Sequence, residues 1–245
     1  MKPILFQCGF LTIYTYGVSV AVAFFVASFL AGREARRRGL DENRIYNLTI
    51  FLLVSGIVGA RLFYVGLNWD YFKTDLLEVF KLQHGGLVWF GGLVGATFAG
   101  WIFLKIKRMD VLATLDLMAP YIALAQAIGR IGCFFNGCCY GKPSAWGIYF
   151  PVHETALFPS QLLDSFTLLV IFVVLRLFSA SRNKGVVLSL YLVLASLQRF
   201  LMEFLRADTR PFYGPLSIFQ WISIGLFVLG LAGTICWTWK RKDSS

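Results

Sequence analysis

The apolar positions of this chain gather into seven long runs, residues 11–31, 45–67, 87–104, 111–132, 160–178, 186–205 and 216–239. Crossing a hydrocarbon core takes about 20 residues of helix. A backbone in lipid must also satisfy its own hydrogen bonds, so each run predicts a transmembrane helix. The short polar segments between them alternate in charge. Arg33, Arg36, Arg37, Arg38 and Arg44 follow the first run, Lys105, Lys107 and Arg108 the third, Arg182 and Lys184 the fifth, and Lys240, Arg241 and Lys242 the seventh. Basic clusters mark cytoplasmic loops, so the expected topology has the N-terminus outside and the C-terminus in the cytoplasm. The expected architecture is all-α, one polytopic helical domain over residues 1–245. Its outer segments are 68–86, 133–159 and 206–215, and Trp69, Tyr71, Trp146, Tyr149 and Tyr213 suit the outer interface.

Composition agrees with this pattern. Hydrophobic residues make up 58% and charged ones only 15%, and mean hydropathy is +0.68. A water-soluble fold of this length has too little core for so much apolar surface. The net charge of +10 would suit a nucleic-acid partner. Its confinement to short clusters between spans argues against one. The first apolar run exceeds a signal-peptide core and has its basic flank on the C-terminal side, so it is expected to stay as a span.

Ionisable residues inside spans mark candidate chemistry, because each costs about 2.5–3.5 kcal/mol at mid-span unless it is paired or wet. Arg199, Glu203 and Arg206 recur at i, i+4, i+7 and predict one charged face on the sixth span. Arg130 near the end of the fourth span and Arg61 in the second are expected at a similar depth near the outer leaflet. Guanidinium forks keep their charge and match phosphate oxygens, so this set suits an anionic lipid headgroup. Structural ion pairs and snorkelling side chains are the plainer explanation of any one of them.

The run Gly129–Gly141 is dense in glycine, which permits a tight break out of the fourth span and close approach to a ligand. Gly85, Gly86, Gly91, Gly92 and Gly95 open the third span, where close helix packing explains them equally well. Of the cysteines Cys8, Cys133, Cys138, Cys139 and Cys236, three cluster in the outer segment. A metal site, a disulfide and simple packing of small residues all remain open for them. The spacing is not that of a zinc module, and His84 and His153 are the chain's two histidines.

At these residues the chain resembles the prolipoprotein diacylglyceryl transferase family. Gly129-Arg130-Ile131-Gly132 leading to Asn136-Gly137 and the closing Gly141 is similar to that family's signature. The likeness continues in Tyr16-Gly17, Gly59-Ala60-Arg61, Gly85-Gly86 with Gly91-Gly92-Leu93-Val94-Gly95, Asp116-Leu117-Met118-Ala119-Pro120, Pro159-Ser160-Gln161-Leu162 and Arg199 with Glu203 and Arg206. The resemblance implies an enzyme of the bacterial inner membrane. It would move the diacylglyceryl group of phosphatidylglycerol onto the lipobox cysteine thiol of a preprolipoprotein, forming a thioether and releasing glycerol phosphate. It implies catalytic roles for Arg130, Arg199, Glu203 and Tyr16, and a headgroup site drawn from Arg130, Arg199, Arg61, Arg206, Asn136 and Gly141. No metal or organic cofactor and no nucleic acid is implied.

The chain departs from the family pattern at Phe90, Cys133 and Cys138, which stand where histidine, asparagine and an acid are common. Phe90 accepts no proton, so His84, His153, Tyr16 and Glu203 become the candidate bases. The competing expectations are an inactive relative that still binds anionic lipid, and a lipid transporter or scaffold. The absence of paired internal repeats speaks against a transporter.

Overall fold

A computed structural model describes residues 1, 3–8, 11–81, 85–179, 183–207 and 212–242, with backbone alone for 8, 11 and 237–242. His84 and Arg182 lie outside the described residues, as do the side chains of Cys8, Lys240, Arg241 and Lys242. The chain is helical almost throughout. In order come β1 (Ile4–Cys8), β2 (Leu11–Tyr14), α1 (Thr15–Arg37), α2 (Glu42–Leu67), the short α3 (Trp69–Phe72), a 3-10 turn (Leu76–Phe80), α4 (Trp89–Ile106) and α5 (Val111–Asn136). Then follow β3 (Pro143–Phe150), β4 (Thr155–Leu157), α6 (Ser160–Phe178), α7 (Val186–Glu203), β5 (Phe212–Tyr213), β6 (Leu216–Ser217) and α8 (Ile218–Lys242). Among the described residues, seven helices are long and apolar enough to cross a membrane, as the hydrophobic runs predict.

Three details differ from the expectation. The first span begins at Thr15, because Leu11–Tyr14 pairs back on Ile4–Cys8 as an antiparallel hairpin. Two further hairpins, β3–β4 and β5–β6, occupy segments expected to be irregular. The fourth span ends late within the run Gly129–Gly141: α5 continues through Gly129 and Gly132 to Asn136, and the break comes at Gly137.

The chain forms two compact units, one from Met1–Ala31 with Leu112–Ser245, the other from Gly32–Val111. In the second unit, α2 and α4 meet along a seam of glycines. A Cβ on Gly59 would stand 2.5 Å from the Gly91 carbonyl oxygen, and one on Gly95 would stand 2.9 Å from that of Ser55. Backbones this close exclude any side chain, which is how helices gain contact where lipid offers no hydrophobic drive. Gly85 and Gly86 have φ of 76° and 80°, the left-handed region that glycine alone enters freely.

In the first unit, Ala119, Ala123 and Ala127 form an i, i+4, i+8 stripe on α5. Leu168, Ile171 and Leu175 of α6 and Val187 of α7 close over it. Pro120 lies buried within α5 and cannot donate to the carbonyl of residue 116. The Asp116 side chain instead serves α7. Its carboxylate accepts from the backbone N–H of Gly185 at 2.5 Å and of Leu188 at 2.7 Å. These are orphan donors of the α7 N-terminus, so Asp116 caps a helix about 70 residues away in sequence.

Candidate active site

The polar side chains of the first unit form two linked groups, each built around an arginine. In the first, Arg130 of α5 pairs through Nε with Asp164 Oδ2 of α6 at 3.2 Å. Asp164 is 2% exposed, and its Oδ1 accepts from Gln198 Nε2 of α7 at 2.5 Å. Gln198 Nε2 also reaches Thr167 Oγ1 at 3.2 Å. One buried carboxylate therefore ties three spans together. Asp164 was not among the residues expected at the site. An acid within the apolar run 160–178 was the signal, since lipid tolerates one only when it is paired.

In the second group, Arg199 NH1 pairs with Glu203 Oε2 at 2.8 Å, one turn along α7. Glu203 Oε1 accepts from Ser217 Oγ at 2.6 Å. Ser217 also opens α8: its Oγ accepts from the Gln220 N–H at 3.3 Å, and Gln220 Oε1 accepts from the Ser217 N–H at 2.9 Å. This reciprocal capping box fixes the start of the last span against the carboxylate that holds Arg199. The Arg199 guanidinium also stands 5.0 Å from the centroid of the Phe219 ring, within cation–π range. The two groups meet on α7, where Gln198 and Arg199 are neighbours.

Arg206 does not continue the charged face of α7. The helix ends at Glu203, and Arg206 pairs in extended conformation with Gly141. A Cβ on Gly141 would stand 2.7 Å from the Phe158 carbonyl oxygen and 3.0 Å from that of Leu205. Gly141 thus lets two backbone segments close on it from both sides. Lys142 N–H donates to the Leu205 oxygen at 3.0 Å, and Ala207 N–H to that of Tyr140 at 3.1 Å.

Tyr16 lies in the first turn of α1, beside α5. A Cβ on Gly132 would stand 2.5 Å from Ser19 Cβ and 3.5 Å from Tyr16 Cδ2, so Gly132 sets how near that turn comes. The Tyr16 phenol lies within electrostatic reach of Arg130 and of the thiols of Cys133, Cys138 and Cys139. Asn136 is half-buried at the α5 C-terminus. His153 Nε2 is 2.9 Å from the Gly137 carbonyl oxygen, and its ring centroid is 4.1 Å from that of Tyr140. It braces the turn after α5.

The α5 terminus itself has the geometry of a Schellman cap. Gly137 has φ of 75°, its N–H donates to the Phe134 oxygen at 3.2 Å, and Cys138 N–H donates to the Cys133 oxygen at 3.2 Å. Cys133, Cys138 and Cys139 are free thiols. The neighbouring Cys133 and Cys138 thiols hold the Cys139 thiol below its ordinary range, and the charges of Arg206 and Arg130 act in the same direction.

In the second unit, Arg61 is 5% exposed and caps a loop. Its Nε donates to the Val79 oxygen at 2.9 Å, NH1 to those of Gly85 at 2.5 Å and Gly86 at 3.1 Å, and NH2 to those of Glu78 at 2.6 Å and Lys81 at 3.3 Å. The guanidinium lies 5.2 Å from the Phe72 ring centroid. Phe90, in the first turn of α4, is 42% exposed and packs edge-on against Trp89.

Seven membrane-length helices and arginines held by buried carboxylates inside them define a multi-pass membrane protein. Its polar interior suits an anionic ligand. Comparison with known proteins gives the family. The family model described as prolipoprotein diacylglyceryl transferase matches residues 3–236. Relatives named phosphatidylglycerol–prolipoprotein diacylglyceryl transferase include one from Clostridium tetani, 36% identical over 94% of this chain and 96% of its own length. One from Thermosynechococcus vestitus is 36% identical over 93% and 89%, and one from Clostridioides difficile 34% identical over 100% and 98%. The chain belongs to the prolipoprotein diacylglyceryl transferase family.

Proposed function

We propose that this transferase moves the diacylglyceryl group of phosphatidylglycerol onto the lipobox cysteine thiol of a preprolipoprotein, at the outer leaflet of the bacterial inner membrane. The observation that carries this reading is the pair of arginines held by buried carboxylates, Arg130 on Asp164 and Arg199 on Glu203. In the reaction, a bond forms between the substrate sulfur and the glyceryl carbon as the carbon–oxygen bond to phosphate breaks. The electron pair stays on the phosphate, and the departing glycerol phosphate gains negative charge. Guanidinium groups fixed beforehand stabilise that charge without reorganising, which is where catalytic gain is largest.

Arg130 is the headgroup residue of choice. Its ion pair uses Nε, so the terminal nitrogens of the fork have no partner among the described residues. Arg199 is the second phosphate partner and Glu203 its holder. Tyr16, within electrostatic reach of Arg130, completes the proposed site together with Asn136, Gly141 and Arg206. Arg61 is left out of the headgroup set, because its donors are taken up by five loop carbonyls. His153 has a bracing role, and His84 lies outside the described residues. With Phe90 unable to accept a proton, the thiol proton passes to the departing phosphate or to solvent.

The test is transfer of a labelled diacylglyceryl group from phosphatidylglycerol to a lipobox peptide by the protein in lipid nanodiscs. Arg130→Ala is expected to lower the rate by roughly 100–1000-fold, the magnitude seen when one fixed oxyanion donor is removed. A folded wild type that binds the lipid but transfers nothing overturns the reading in favour of a lipid-binding relative, and Phe90 becomes the reason.

A further inference from the structure

The three thiols at the end of α5 are brought together by two separate devices. The Schellman cap sets Cys133 and Cys138 side by side, since these are the two positions whose side chains meet in that motif. An apolar contact between them would complete the cap without help. Cys139 has no part in that contact, yet its sulfur joins the other two: the three Sγ atoms all lie within 4.8 Å of one another. To do so Cys139 adopts φ of 62°, a conformation that non-glycine residues rarely take.

The loop that carries these sulfurs is pinned from outside. Ser160 Oγ donates to the Cys139 oxygen at 2.8 Å, and Gln161 Nε2 to that of Cys138 at 2.7 Å. Both donors belong to the first turn of α6 and are fully buried. Hydrogen bonds that fix the backbone behind ligating side chains are what a preorganised metal site requires. The sulfur spacing fits as well. Zn–S bonds of about 2.3 Å place sulfurs about 3.8 Å apart in a tetrahedron, so a small inward shift of the three is enough. Arg206 and Arg130 lie within electrostatic reach of Cys139 and offset the charge of three thiolates around one cation.

We propose that Cys133, Cys138 and Cys139 form a three-thiolate site for a thiophilic d10 cation, of the Zn2+ or Cu+ class. Soft thiolate ligands select these ions over Mg2+ or Ca2+. The ion ties the loop 137–141 to the end of α5 and so fixes Gly141 and the backbone of Arg206 across from it. Three sulfurs leave one tetrahedral position for water or an exogenous thiol.

The site is tested on the full chain in nanodiscs, reduced and stripped with chelator, then titrated with Zn2+ and, separately, with Cd2+ to read the sulfur-to-metal charge-transfer absorption. About one equivalent of Zn2+ is expected per chain, with the thiolate absorption appearing in step with Cd2+. Cys138→Ser and Cys139→Ser are each expected to weaken binding by roughly 100-fold or more, whereas Cys236→Ser changes nothing. Helicity by circular dichroism and elution as a single species confirm that each variant is folded. No stoichiometric binding by the reduced wild type overturns the proposal. So does binding that survives both serine variants, or a disulfide within the cluster in protein purified without oxidant. The readout is metal content and absorption, so it is independent of transfer activity.

Discussion

Asp164 shows most clearly what a single residue contributes. A carboxylate 2% exposed among three helices is tolerable because the Arg130 charge offsets it on one side and Gln198 donates to Oδ1 on the other. Removing one member of such a pair strands the other at a cost of about 3–5 kcal/mol. Asp164→Asn keeps the shape and one acceptor but removes the charge that orients Arg130. We expect it to lower kcat by about 10–100-fold with KM for phosphatidylglycerol changed far less, as a positioning residue should. Equal kcat in variant and wild type would remove Asp164 from the machinery. The arginines were legible in the sequence, because their cost in lipid makes them conspicuous. The acidic partner of Arg130 was equally expensive but had no counterion within two turns of it in its own run, and only the folded chain shows that its counterion lies on another helix.

Among the elements, α7 has the most revealing supports. It is held at its start by Asp116 and at its end by Glu203, which reaches Ser217 at the threshold of α8. Within the motif Asp116-Leu117-Met118-Ala119-Pro120, Asp116 therefore caps a distant helix, and Ala119 belongs to the apolar core. Asp116→Ala is expected to destabilise the protein by about 1–2 kcal/mol in thermal unfolding, with Asp116→Asn recovering most of the loss. A shift no larger for alanine than for asparagine would refute the cap. Helix positions followed from hydropathy to within a few residues, since apolar length is a property of the sequence alone. The ends did not. Leu11–Tyr14 is as apolar as a span, but it satisfies its backbone by pairing with Ile4–Cys8. Likewise, the run Gly129–Gly141 marked a break out of α5 without saying which glycine makes it; at Gly132 the glycine serves the approach of α1, and the helix stops where Gly137 turns left-handed.

For the whole molecule, the distribution of basic residues carries the topology. Every cluster follows an odd-numbered span, so we expect the N-terminus outside and the C-terminus in the cytoplasm. Cysteine-accessibility labelling in intact cells checks this. In a background whose five native cysteines are replaced, a cysteine introduced at Ser245 should stay unlabelled by a membrane-impermeant maleimide, and one at Trp146, which is 91% exposed in β3, should react. The reverse pattern would invert the topology and place the arginine groups on the wrong leaflet for the proposed reaction.

The glycine seam between α2 and α4 has a consequence for how variation in this chain is to be interpreted. At Gly59, Gly91 and Gly95 every possible replacement adds atoms where a neighbouring backbone already stands, so none is conservative. These positions will tolerate change as poorly as Arg130, for want of room rather than for loss of charge. A survey of inherited or engineered variants would rank the two kinds together. The amount of protein reaching the membrane separates them: seam variants fail by never accumulating, and site variants accumulate normally while doing no work.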